Sequence, residues 1–288
     1  MAKTAKRKTR PGHALNGYKS EDRPLGDRYV SLSHALTRAG HDLTLSEKRL
    51  IMACVGKLDS GKKIEVDGRP IVRVSAREYG DTFGLDPSTA YTALRESAAH
   101  LFQRYITFFQ PVQARNGKKL AETISKIRWI DLCRYAKKEG FVEMRFVPEL
   151  VPHLTGLKRY FTTYQLKQAS ALRSVYSWRL LELLMKHKST GWAQFDIEDF
   201  LTSMDAPPAV RRNFFNVRQR IIAPAVKELR DKDGWDIEWK TVHAGRRVRA
   251  VRFSFSRNPQ ERLPLEEVDR LAEVEEFQRR QALLIDPR

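Results

Sequence analysis

Cysteine is nearly missing from this chain: Cys54 and Cys133 are its two in 288 residues. They share no Cys-x-x-Cys spacing, so neither a zinc ribbon nor a redox pair is available. Both stand in apolar company, Cys54 after Leu50-Ile51-Met52-Ala53 and Cys133 after Trp129-Ile130-Asp131-Leu132. Two buried free thiols in a reducing, cytoplasmic setting are expected. Long apolar runs are missing too. None approaches the roughly 18 residues of a membrane-spanning helix. The basic N-terminus has no apolar segment behind it, so no secretory leader is expected. No Gly-x-x-x-x-Gly-Lys-Ser/Thr loop is present to cradle a nucleotide. The seven histidines (His13, His34, His41, His100, His153, His187 and His243) include no His-x-His pair. The acids form no close cluster of the kind that holds two metals. Neither a catalytic centre nor a metal or cofactor is expected.

Negative charge is also short. Asp and Glu number 35 against 53 Lys and Arg, a formal net charge of +18 and a pI near 10.0. Such an excess costs self-repulsion unless a polyanion offsets it, and without a membrane segment that partner is nucleic acid. At 41% hydrophobic residues the chain can bury a real core, in one or two domains.

The basic residues concentrate between Phe214 and Phe255. Asn213–Asp231 reads as one helix. At about 100° per residue, Phe214, Phe215, Ile221, Ile222, Ala225, Val226 and Leu229 fall on one broad side. Arg212, Asn213, Asn216, Gln219, Arg220, Ala223, Lys227 and Arg230 fall on the other. Arg218 lands near the apolar side, where it is expected to pair with Asp199 or Glu198. Pro224 removes a donor in mid-helix and is expected to kink it. Two alternating runs follow, Trp235–Val242 and Val248–Phe255, joined across Ala244-Gly245-Arg246-Arg247. A helix followed by a basic hairpin is the layout of a winged helix: the helix reads a major groove and the hairpin follows phosphates.

The first half repeats this order. Thr44 and Glu47 have capping-box spacing ahead of a helix through Leu58. A strand Ile71–Val74, a helix from Ser75 to Gly84 and a second helix follow. Asp86 caps that second helix, Pro87 stands at its first position, and it ends near Arg104. A short helix, a tight turn and a longer helix make a helix-turn-helix, whose outward residues are Ser88, Thr89, Thr92, Arg95 and Glu96. Strands Tyr105–Val112, Glu122–Asp131 and Phe141–Phe146 come next. The basic turns at Arg115–Lys119 and Ala136–Gly140 lie between them, and Lys118 and Lys119 are taken as wing contacts to phosphate. After Pro152, Tyr164–His187 reads as one long helix, then Phe195–Leu201 as a short acidic one ahead of the arginine-rich helix. The expected class is α+β, two winged-helix domains in tandem. A basic disordered arm (1–28) precedes domains at 29–150 and 151–258, and an acidic helix or tail (259–288) follows them.

Four segments carry a family resemblance: LTLSEKRLIMAC (43–54), VSAREYGDTFGLDPSTAYTALRESAAHLFQR (74–104), LKQASALRSVYSWRLLELLMKH (166–187) and VRQRIIAPAVKEL (217–229) with its Gly-Arg hairpin. In order and spacing they resemble the iteron-binding replication initiators of bacterial plasmids, over roughly Tyr29 to Arg257. The resemblance implies two winged helices gripping one direct repeat (an iteron) of origin DNA, with most base contacts from the C-terminal helix. It implies a homodimer through the N-terminal domain that represses the initiator's own gene at an inverted repeat. It also implies contact with a host initiator and a replicative helicase. Residue by residue, the recognition motif falls on Asn216, Arg218, Gln219 and Arg220, and the wing on Gly245, Arg246, Arg247 and Arg249. Two readings stay open beside it: a winged-helix regulator with no replication role, and an RNA-binding protein, which would lack the usual aromatic stacking motif. A rolling-circle nicking enzyme would need the missing histidine pair.

Overall fold

The structure, a computed structural model, describes residues 23–113, 120–137, 139–257, 263 and 265–285. Most of the arm expected at 1–28, and Lys118 and Lys119, lie outside them.

The N-terminal half opens with β1 (Tyr29–Ser33) and the short α1 (His34–Arg38). Helix α2 (Leu45–Gly56) starts from a capping box: the Thr44 hydroxyl accepts the Glu47 N–H, and Glu47 returns to the Thr44 N–H at 2.8 Å. β2 (Val72–Ser75) leads into α3 (Ala76–Phe83), where Ser75 and Glu78 form a second capping box. Gly84, at φ +62°, ends α3 in the left-handed region that glycine tolerates. Asp86 then caps α4 (Pro87–Leu101), which stops three residues short of the expected end. A ribbon of β3 (Tyr105–Gln113) and β4 (Leu120–Arg128) follows, then β5 (Ile130–Ala136) and β6 (Phe141–Phe146). The single strand expected at Glu122–Asp131 is thus two. They part at Trp129, which is fully buried and donates its indole N–H to the His41 carbonyl.

After the short α5 (Val151–Leu154) comes the largest departure from expectation. Tyr164–His187 is not one helix. It is the end of β7 (Phe161–Gln165), a short α6 (Lys167–Ser170) and α7 (Val175–Met185). Thr162 and Tyr164 alternate inward along β7, and the strand pairs antiparallel with β1. That partner lies more than a hundred residues away, so tertiary pairing overrides a local helical period. β8 (Trp192–Asp196) precedes α8 (Ile197–Ser203); Phe195 and Asp196, expected in the acidic helix, close the strand and cap the helix. The short α9 (Pro208–Arg211) stands where only a turn was expected. The arginine-rich helix has three parts: α10 (Phe214–Val217), a π turn (Arg218–Ile222) and α11 (Ala223–Asp233). β9 (Asp236–Ala244) and β10 (Arg247–Ser256) form the hairpin.

Two three-stranded sheets have matching orders, β2-β6-β5 and β8-β10-β9. In each, a strand leads into a short helix and then a longer helix, and the hairpin returns to pair with that strand. The internal repeat is therefore topological, with the β3–β4 ribbon inserted into the first copy. The acidic segment is a helix, α12 (Leu265–Ile285). It lies on the outer face of the second sheet, where Val268 and Ala272 meet Trp192. Asp269 there receives both Lys240 and Arg252.

One continuous apolar core runs through both halves. A buried ionic cluster crosses it. The Glu182 carboxylate, on α7, accepts from Lys48 on α2 at 2.8 Å, from Arg179 at 3.1 Å and from the Tyr164 hydroxyl at 2.9 Å. Arg179 also donates to the Thr37, Ala39 and Ser203 carbonyls. Asp205, at φ +50°, accepts the His41 N–H at 2.8 Å. Lys48, Arg179 and Glu182 are fully buried. Burial pushes the Lys48 ammonium down to about 8 and His41 well below its ordinary value. Cys54 is buried as expected; Cys133 is only half-buried.

Candidate nucleic-acid interface

The arginine-rich helix begins at Asn213, whose side chain accepts the Phe215 N–H at 2.9 Å. Asn213 is therefore a cap, a use its placement on the polar face did not anticipate. Phe215, expected inside, is 61% exposed. Val217, Ile221, Ile222, Ala225, Val226 and Leu229 are buried, while Arg218, Gln219 and Arg220 are exposed in succession. A uniform helix cannot turn three consecutive residues out while holding this buried set. The π turn does so, with the Ala223 N–H reaching back five residues to the Arg218 carbonyl. It also explains how the helix passes Pro224, which has no N–H and crowds the preceding turn. Arg218 does not pair with Asp199 or Glu198: those acids are engaged by Arg38 at 2.7 Å and Arg211 at 3.8 Å. Asn216 is half-buried, and Arg212 is exposed beside the cap.

Beyond Pro224 the basic residues turn to the protein itself. Lys227 pairs with Asp231 at 2.6 Å, and Arg230 donates to the Ile237 carbonyl at the base of the hairpin. The hairpin closes with Gly245 at φ +60° followed by Arg246, as a tight two-residue loop requires. Arg246, Arg247 and Arg249 are exposed. Arg249 is the extra residue where the β9–β10 register shifts between Val248 and Ala250. Such a bulge re-aims its side chain relative to its neighbours on the strand.

The N-terminal reading helix is less charged. Asp86 accepts the Thr89 N–H at 3.0 Å, and hydrogen bonding from the Thr89 side chain, then from its N–H, holds the Asp86 carboxyl below the usual range. Ser88, Thr89 and Arg95 are exposed and Thr92 is half-buried. Arg95 and Glu96 are no closer than 4.0 Å. Both basic turns of this half were expected where a wing sits. By sheet order the wing is β5–β6, whose tip holds Lys137. The Tyr91 hydroxyl, on α4, donates to the Lys137 carbonyl and ties that tip to the reading helix. Lys137 is thus a candidate contact that sequence reasoning passed over, although its basic turn was visible. Among the described residues no group of His, Cys, Asp or Glu is placed to hold a metal.

Comparison with known proteins bears out the resemblance carried by the four segments. A family model described as "Initiator Replication protein, WH1" matches residues 29–185, and one described as "Initiator Rep protein, WH2" matches residues 196–255. The PI protein of Escherichia coli is 24% identical over 253 residues, covering 78% of this chain and 80% of that protein. A replication initiation protein of Escherichia coli is 23% identical over 209 residues, covering 71% of this chain and 63% of that protein. A solved structure of the Pi initiator protein in complex with iteron DNA matches with a TM-score of 0.63 at 18% identity. It covers 80% of this chain and 97% of its own. That likeness shows the same fold.

Proposed function

Because the chain belongs to the initiator replication protein family, we propose that it starts replication by binding repeated duplex sites with both winged helices. The observation that carries this is the outward run Arg218-Gln219-Arg220 beside the exposed wing arginines. Arg and Gln side chains make the bidentate contacts that identify guanine and adenine in a major groove. The DNA surface also includes Arg212, Asn213, Asn216, Arg246, Arg247 and Arg249, with Ser88, Thr89, Thr92, Arg95, Lys118 and Lys119 from the first half. Binding is to direct repeats of the origin, and the C-terminal domain (151–258) supplies most base contacts.

The N-terminal domain (29–150) reads the other end of each repeat and forms the homodimer that represses the protein's own gene. Phe109 and Ile124 support that surface: they are cross-strand neighbours on the β3–β4 ribbon, exposed by 40% and 58%. The protein works in the cytoplasm, without catalysis, and hands the origin to a host initiator and helicase. No helix among the described residues is long and apolar enough to cross a membrane.

Selection from a random duplex library with the full chain tests the reading. A single enriched motif is expected. Tandem copies of it, cloned with the gene, should sustain a circular DNA that lacks any other origin. An enriched motif that supports no replication would favour a regulator; no motif at all would overturn the DNA-reading assignment. Light scattering on a one-motif duplex should weigh one 33.4 kDa chain plus DNA.

A further inference from the structure

We propose that Pro224 is a positioning residue for DNA specificity: it holds the π turn that aims Arg218 at the duplex. The inference rests on the DNA-reading role proposed for this helix. Arg218, Ile222, Ala225 and Leu229 are spaced by four, three and four residues, so a regular helix would stack them on one face. Ile222, Ala225 and Leu229 are indeed fully buried. An uninterrupted helix would therefore drive Arg218 into the core side. Instead Arg218 is exposed while Val217, Ile221 and Ile222 around it are all buried, and the stretch that separates it from the regular helix beyond is the π turn.

A π turn holds one residue more than an α turn. It therefore offsets the helix before it from the helix after it by roughly one residue's rotation, about 100°. The cause sits two residues beyond it. Pro224 cannot donate to the Arg220 carbonyl, and its ring crowds that carbonyl in a regular turn. Pro224 is itself exposed. Its effect is therefore on backbone geometry, not on packing. Substituting Pro224→Ala restores the N–H and removes the clash. The turn then rewinds, and Arg218 rotates toward Ile222 while Gln219 and Arg220 re-aim.

The test uses the full chain and the motif that the wild type selects from a random duplex library. Pro224→Ala is expected to weaken binding to that motif by about tenfold or more, the loss of one good base contact. Binding to scrambled duplex and its salt slope should stay within about twofold, since the phosphate contacts lie elsewhere. The variant's own selection should return a motif altered at the bases this helix reads. Arg218→Ala should be costly in the wild-type background and silent beside Pro224→Ala. Circular dichroism and melting temperature should be unchanged or raised, because alanine suits a helix better. An unchanged motif, with Arg218→Ala equally costly in both backgrounds, overturns the inference while leaving DNA binding intact. Failure of the wild type to select any motif would instead remove the reading beneath it.

Discussion

Replacing Glu182 by glutamine tests the ionic cluster that joins the two halves. The carboxylate sits among Lys48, Arg179 and the Tyr164 hydroxyl, at 2.8, 3.1 and 2.9 Å, and no side chain of the two ion pairs reaches solvent. Glutamine keeps the shape and can still accept from Tyr164. It removes the only negative charge that, among the described residues, is bonded to both buried cations. Breaking a buried pair this way costs about 3–5 kcal/mol, because a charge is left without compensation. Against a usual total of about 5–15 kcal/mol that is a large share. Asp199→Asn is the control. It breaks the Arg38 pair at 2.7 Å, but those side chains are 52% and 59% exposed. Exposed pairs contribute under about 1 kcal/mol. Equilibrium urea unfolding, followed by fluorescence of the buried Trp129 and Trp178, compares the two. The Glu182→Gln midpoint should fall far below that of Asp199→Asn. Equal midpoints would show that Lys48 and Arg179 are satisfied without Glu182, and the proposed coupling would be wrong.

Arg220→Ala should weaken binding to the selected motif far more than to random duplex, and Asn216→Ala likewise but less. Gel-shift titration on both DNAs decides this, and equal losses would assign Arg220 to phosphate. The Arg246→Ala/Arg247→Ala double variant should lose affinity on every sequence, and its salt slope should fall by roughly 0.9 per lost phosphate contact. An unchanged slope would take the wing off the DNA. Acid should unfold the protein partly through His187, which burial pushes down to about 4. Its unfolded value is higher, so stability present above about 6.5 is lost as pH falls toward about 4. His187→Gln should flatten that part of the pH curve in thermal melts.

What could be read in advance was local. Thr44 with Glu47, three residues apart, and Asp86 with its neighbour Pro87 announce helix starts, and both helices form as expected. The hairpin after the arginine-rich helix shows equally well, through alternation and a glycine at the turn. The misreadings share one physical origin, a partner or constraint outside the local window. β7 needs β1 to become a strand. The first wing is disguised because a ribbon interrupts the copy between its reading helix and its hairpin. Arg218 is misplaced by any wheel of constant pitch, since the pitch changes within the helix. Pro224 was a visible signal of trouble there, and a widened turn stands just before it. Lys48 and Glu182 gave no signal at all, because charged residues inside a helical pattern ordinarily face water.

That last point bears on how a two-domain reader binds. Two reading helices on a flexible linker would each search separately, and ordering them would be charged against affinity. Here Arg179 reaches the Thr37 and Ala39 carbonyls of one half and the Ser203 carbonyl of the other with a single guanidinium. Asp205 and His41 add a second tie. The apolar core is continuous across the same boundary. Ordering of the two halves is thus met during folding, so less of the binding energy is lost when DNA arrives. A preset spacing also acts as a selector: a duplex whose two half-sites sit at another helical phase cannot satisfy both helices without strain. Under the proposed DNA-reading role, sequence preference belongs to the side chains of each helix, and preference for half-site spacing to the buried cluster between them.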